Sequence, residues 1–393
     1  MSRRSPQRER RGIALTLALL AIIVIGALVA GGYLGAVQEY RIARNNLVER
    51  RALAATELGL DTVYAMWNKS WNGVQTGAVR VLSYRPVDGS WVDTVRITKL
   101  NQFSFLVVSE GRAGGYGTQL SARRRAAMLL RLNMAQYNQP GAIVSRGTIS
   151  IGGNTNIFGV DTVFPGWDCP PAGAAAAGAL APSWSNYTFR GKNCKSPTYA
   201  CITGNPQADT TSAAADTNTY FNYGNQNWSS LVAMADKTVS GTLTGIQPSV
   251  SGSGFCNTSD INNWGDPNRG NATGNPSGVC ENYFPIVYSP GDLSINGNVG
   301  QGILLVGGNL SIQGNFSFYG QIIVRGSLKL TGTGNHINGG ILAAVLLDSS
   351  STSSGNQLSG TSAIQYSRCA LNTVFANNSM PARALQRSWV ELF

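Results

Sequence analysis

GDLSINGNVGQGILLVGGNLSIQGNFSFYGQIIVRGSLKLTGTGNHINGGILAA spans residues 291–344, and it repeats one phrase three times. Gly291-Asp-Leu293-Ser-Ile295, Gly308-Asn-Leu310-Ser-Ile312 and Gly326-Ser-Leu328-Lys-Leu330 share a Gly, then aliphatic residues at alternate positions; they start 17 and 18 residues apart. A second aliphatic run follows each: Gly302-Ile-Leu-Leu-Val306, Gly320-Gln-Ile-Ile-Val324 and Gly340-Ile-Leu-Ala-Ala344. Each period therefore holds two short strands and two Gly/Asn turns, which suits one coil of a parallel β-solenoid. Such coils stack their aliphatic rows about 4.8 Å apart. Gly-turned hairpins in an antiparallel sandwich are the competing reading; three tandem copies at near-constant spacing favour the solenoid. A fourth copy, Gly147-Thr-Ile149-Ser-Ile151-Gly152, stands far upstream and reads as an early coil.

Composition agrees with short strands and many turns. Charged residues are 12% of the 393, against about 25% in an average protein, and glycines number 47. The net charge of +11 invites a nucleic-acid reading, but residues 1–12 alone carry +4 and the remaining +7 is spread thinly. Arg123-Arg124-Arg125 is the one compact basic run later in the chain, and no nucleic-acid partner is expected. His336 is the single histidine, which speaks against His-based catalysis or a His-rich metal site. Across 286–347 the only acid is Asp292, so these coils hold no glycosidase-like acid pair. Asp260-Ile-Asn262-Asn-Trp264-Gly-Asp266 approaches a calcium loop, but Trp264 stands where an oxygen ligand belongs and Asn271 where a Glu belongs. The chain reads as non-enzymatic, with no cofactor and no metal.

The N-terminus sets the compartment. From Ile13 to Val37 no residue is charged, and as a helix this stretch spans about 37 Å. It is long enough to cross a bilayer, with the basic leader 1–12 held in the cytoplasm. A cleaved secretory signal is the rival, with Ala27-Leu28-Val29-Ala30-Gly31 as a cleavage site, but the apolar run continues past it. Beyond Gln38 the pattern stays helical. Ala36, Tyr40, Ala43, Leu47, Ala54 and Leu58 form one apolar stripe, so one long helix is expected over about 13–70.

These residues carry a resemblance. Arg10-Arg11-Gly12-Ile13-Ala14-Leu15 looks like the class III signal sequence of type IV pilins, in which a prepilin peptidase cuts after Gly and the new N-terminus is methylated. Cleavage would fall between Gly12 and Ile13. The following stretch is similar to the N-terminal domain of PilX-type minor pilins, most closely at Ala54-Ala-Thr-Glu57-Leu-Gly59-Leu60. The resemblance implies roles in helix packing and assembly for Leu17, Ala54, Glu57 and Gly59. Leu17 stands where major pilins carry a glutamate, a departure shared with tip-located minor pilins of the PilX and GspK kind. The 302–344 tract also resembles the domain often attached to PilX-type N-termini. The family implies a single-pass protein of the bacterial inner membrane, later at the cell surface in a pilus. Its partners would be other pilins, the assembly machinery and the prepilin peptidase. A signal-anchored module whose solenoid recognises glycans or cell surfaces is the alternative.

The rest of the chain fills in a mainly β protein with a long N-terminal helix. Residues 71–138 read as a small antiparallel β domain with strands at 77–84, 91–100 and 103–110. Residues 122–134 fit strand or helix, strand being favoured by the alternation of Arg123, Arg125 and Arg131 with Ala126, Met128, Leu130 and Leu132. A right-handed parallel β-solenoid follows, with a first coil at 139–165 and further coils at 286–363. Residues 166–285, rich in cysteine and aromatics, read as an insertion. Residues 364–393 read as a C-terminal helix or cap, with Leu385, Trp389 and Leu392 at helical spacing. No CxxC occurs, so six cysteines beyond a membrane signal point to disulfides. Of the 15 possible pairings we favour Cys194 with Cys201, Cys256 with Cys280, and Cys169 with Cys369.

Overall fold

A computed structural model describes residues 13–83, 90–114, 121–135, 139–191, 194, 199–269, 278–346, 355–383 and 389–392. The leader 1–12, Gly12 included, and Leu385 lie outside the described residues.

The helix α1 (Ile13–Ala65) is one uninterrupted element of 53 residues. From residue 13 to 47 all but Val37 are exposed. Only Ala52, Ala55, Thr56, Gly59, Leu60 and Val63 are buried. They pack on an antiparallel meander of β1 (Val79–Leu82), β2 (Ser90–Asn101), β3 (Ser104–Gly114) and β4 (Ser121–Asn133). Along β4 the arginines at 123, 125 and 131 face solvent while Met128, Leu130 and Leu132 are buried under the helix. The 122–134 stretch is thus a strand, amphipathic with period two. The apolar stripe Ala36, Tyr40, Ala43, Leu47, Ala54 and Leu58 is not the face that packs on the sheet. All six residues are exposed, on the side of α1 opposite the sheet.

The remainder is a large curled parallel sheet, a solenoid whose ladders form three rows. In the first row Leu243, Ile295, Ile312, Leu330, Leu358, Ile151 and Phe189 sit in register. In the second, Phe318, Ile337, Ile364, Ile157 and Ile202 do so. In the third the order is Val287, Leu304, Ile322, Ile341, Ile143 and Ala179. All but Leu243 and Phe189 are buried in one continuous core.

The two sequence patterns have different causes. First-row strands alternate because one face meets the core and the other meets water. Third-row strands are aliphatic throughout because both faces are covered. Their outer side chains, among them Ile303, Leu305, Ile323 and Leu342, join a second core with Tyr220, Tyr223 and Leu231. The covering layer is the connection 211–236 with its short helices α2 (Asn218–Phe221) and α3 (Trp228–Ala233), together with α4 (Arg368–Asn377).

Stacking order departs from chain order. The Gly147 copy does not precede the coil at 291; it lies on the last coil, 355–366. Nor do residues 166–285 stand apart as an insertion. Ala177–Ala181, Tyr187–Phe189, Ile202–Thr203 and Ala208–Thr210 extend the stack beyond the Gly147 coil. Lys237–Thr238 and Gly241–Ile246 begin it at the other end. Small residues hid this: Ala177, Ala179 and Ala181 fill core positions without the branched side chains that mark the other coils. The C-terminal segment differs too. Its helix is α4, whereas Met380–Arg383 and Trp389–Leu392 are strands on the free edge of β4, where the sheet supplies backbone partners that an isolated helix lacks. His336 lies in a strand of the second row, exposed, rather than in a turn.

Candidate functional site: helix α1 and its collar

The residues expected to serve assembly divide by position. Ile13 opens α1, and Leu17 is 61% exposed on its apolar half. Ala54 and Glu57 are exposed on the outer face. Gly59 instead works within the molecule: a Cβ there would lie 2.9 Å from Val92 Cγ1 and 3.1 Å from Val95 Cγ2. Gly111 on β3 matches it, since a Cβ would strike the Ala52 carbonyl and Thr56. The Thr56 hydroxyl lies 2.9 Å from the Ala52 carbonyl oxygen and 3.0 Å from that of Arg124. Small residues on both partners let helix and sheet meet backbone to backbone.

A collar of charges fixes the orientation. Arg124 bridges Glu49 on α1 at 3.0 Å and Glu391 on the last strand at 3.4 Å. Arg383 donates to Asp61 at 2.5 Å and covers the Tyr64 ring at 4.9 Å. On the outer face of the sheet Glu110 is gripped by Arg123, with Arg112 at 3.3 Å and Arg125 at 3.7 Å. Burial pushes the Glu110 carboxyl up, but the hydrogen bonds and charge of these arginines outweigh it and hold it below the usual carboxylate range. Beside α1 a cavity of about 270 Å³ lies between Glu57, Leu60, Asp61, Met128, Arg383 and Trp389.

Where α1 ends, the small sheet meets the solenoid. The Trp67 indole N–H donates to Asn72 Oδ1 at 2.7 Å, and the Asn72 amide reaches the Ser379 carbonyl at 2.8 Å. Lys99 Nζ donates to the carbonyls of Asn72 at 2.8 Å and Val74 at 2.7 Å. Burial lowers the Lys99 pKa, with Asp168 opposing in part. A cavity of about 410 Å³ opens here, walled by Lys69, Asp236, Asn282, Tyr283 and Asn378 among others. Sequence reading missed Asn72 and Lys99, because a lone polar residue in a loop or strand carries no periodic signal.

The cysteines pair as Cys169 with Cys369, Cys194 with Cys201, and Cys256 with Cys280. The first joins the segment after the Gly147 coil to α4 across a separation of 200 residues. Trp264 is buried in the core rather than beside an ion. Among the described residues no group of three His, Cys, Asp or Glu is placed to hold a metal. By length and composition α1 suffices to cross a membrane.

No protein-family model matches the chain. No curated protein matches it in sequence. Among solved structures it is similar to the competence-associated pilin ComZ from Thermus thermophilus, at 12% identity over 88% of this chain and 97% of that one, with a TM-score of 0.25. An overlap that loose carries no argument.

Proposed function

We propose that this chain is a minor-pilin-like subunit of a type IV pilus or related filament. It is held in the bacterial inner membrane by 13–37 until assembly, with its N-terminus cytoplasmic. Cleavage between Gly12 and Ile13 by a prepilin peptidase, followed by methylation, precedes entry into the filament. The β-rich head then sits at the tip or surface, serving assembly and adhesion. One observation carries the reading: a single rigid helix is bare and apolar over its first half and buries only its last turns against a small antiparallel sheet. That division suits a subunit anchored first in lipid and then among other helices. Leu17 in place of an acid removes the need for a buried counter-charge, which suits a subunit with nothing stacked beyond it.

N-terminal mass analysis of sheared filaments tests this. A methylated Ile13 is expected. An intact Met1, in protein found only in membranes, would overturn it in favour of a static anchored module for glycans or cell surfaces.

A further inference from the structure

The geometry points to a binding site for an uncharged saccharide in the cleft of about 410 Å³ where α1 ends and the solenoid begins. The inference goes beyond the filament reading, since it holds whether the chain enters a filament or stays anchored.

The cleft is lined from separate parts of the chain. Asn68 and Lys69 follow α1, Asp236 follows α3, and Thr258 and Tyr283 come from the connection that leads to the third-row strand at 286. Its volume lies within the range of about 300–1,000 Å³ usual for small-ligand sites.

The walls are held in place without an occupant. The buried Lys237 amine donates to the carbonyls of Thr258 at 2.8 Å and Asp260 at 2.6 Å, and lies 5.6 Å from the centre of the Tyr283 ring. Cys256–Cys280 ties the Thr258 wall to the segment just before Tyr283. Asp236 Oδ2 accepts from the Ile286 N–H at 2.9 Å, and Asn68 Oδ1 accepts from the Ser70 N–H at 2.9 Å. A site braced in this way loses little freedom when a ligand arrives.

The same side chains keep their other polar atoms uncommitted. Asp236 Oδ1 has only Lys69 Nζ, which is 3.7 Å away and beyond hydrogen-bond length. The Asn68 amide nitrogen and the hydroxyls of Thr258 and Tyr283 have no hydrogen-bond partner among the described residues. Burial, with the charge of Asp236 adding to it, raises the Tyr283 pKa, so the phenol keeps its proton and donates.

This set of groups selects its ligand. One carboxylate stands beside one ammonium, so an ion of either sign meets a like charge. An apolar molecule would take water from these groups and pair none of them. Hydroxyls both donate and accept. A sugar ring can give a hydrogen bond to Asp236 while its other oxygens accept from Lys69, Asn68 and Tyr283. Bonds to the charged pair are the stronger ones, and neighbouring hydroxyls of one ring suit two groups this close together.

The test uses the full chain in a detergent without a sugar headgroup. It is titrated by calorimetry with glucose, galactose, mannose, N-acetylglucosamine, lactose and cellobiose. At least one should bind saturably, with a Kd of about 1 mM or tighter. Asp236→Asn and Tyr283→Phe keep the shape of each side chain, and each should weaken that binding about tenfold or more at an unchanged melting temperature. Thr258→Val, at the exposed rim, should weaken it several-fold, and it reads the same wall should either of the others lose its fold. Glucuronate and glucosamine should bind less well than the neutral sugars. No saturable binding up to about 20 mM, full binding in all the variants, or a preference for a charged sugar would overturn the proposal. The titration reads the cleft and the fate of Met1 reads the filament, so either can fail without the other.

Discussion

Gly111 of β3 lies against the carbonyl oxygen of Ala52 so closely that no Cβ fits between them. The helix is seated on the sheet by this absence of side chains, and a methyl group must push the backbones apart. Gly111→Ala should therefore destabilise the head by about 3 kcal/mol, at the upper end for overpacking. Thermal unfolding of the full chain in detergent checks this, and an unchanged melting temperature would contradict it.

Trp264 closes one end of the solenoid. It is fully buried, edge-on to Phe316 and Phe318 with centroids 6.3 and 6.4 Å away, and its N–H donates to the Ile261 carbonyl at 3.0 Å. Trp264→Ala should cost about 3–5 kcal/mol. Denaturant titration should show the lost stability as a lower midpoint.

Cys169–Cys369 ties the segment after the Gly147 coil to the helix that follows the last coil. Replacing both cysteines by alanine should lower stability by about 3–5 kcal/mol, since a loop of this length gains much freedom when opened. The Cys194–Cys201 pair closes only a separation of 7 residues, so its removal should cost less. Unfolding of the two variants side by side reads the difference.

Glu110 supplies a pH signature. Its carboxyl is held below the ordinary value by Arg123 and its neighbours, despite burial. The sign follows: a carboxyl depressed in the folded state stabilises above its unfolded pKa, and that contribution is lost as pH falls through the folded value. Wild type should exceed Glu110→Gln in stability from neutral pH down to about 4.5. The gap should close further into acid. A gap that persists unchanged at the acid end would show that the carboxylate charge is not its source.

What was legible in the sequence was periodicity. Leu293, Ile295, Leu310 and Ile312 mark one strand of each coil and Ile303 to Val306 the second. Both are strands in the structure, the first with one wet face and the second covered on both. Stacking order was not legible, because Ile149 and Ile151 fit any neighbouring aliphatic row equally well; only the ladder to Leu358 distinguishes them. At the collar, Gly59 stood out as a small residue in a helix, but its use against Val92 depends on a sheet that pattern alone cannot place. Trp389 and Leu392 have helical spacing yet form a strand, because the edge of β4 is there to be paired. Glu57 was legible as a residue, but the cavity around it is built from four separate segments of chain.

The placement of the Gly147 coil on the coil at 355–366 governs the order in which the molecule can be finished. Residues 141–158 are made early, with one edge of each strand bare until its partner exists. The strands that cover those edges arrive some two hundred residues later. Half a solenoid therefore waits as an open template, and closure is a single late, long-range event. Pairing of this kind is slow, and raw strand edges invite other chains. A chain stopped before residue 355 would lose first- and second-row strands from the middle of its stack rather than its tip, leaving the ladder between Ile341–Ala343 and Ile143–Ser145 as the one join between the two parts.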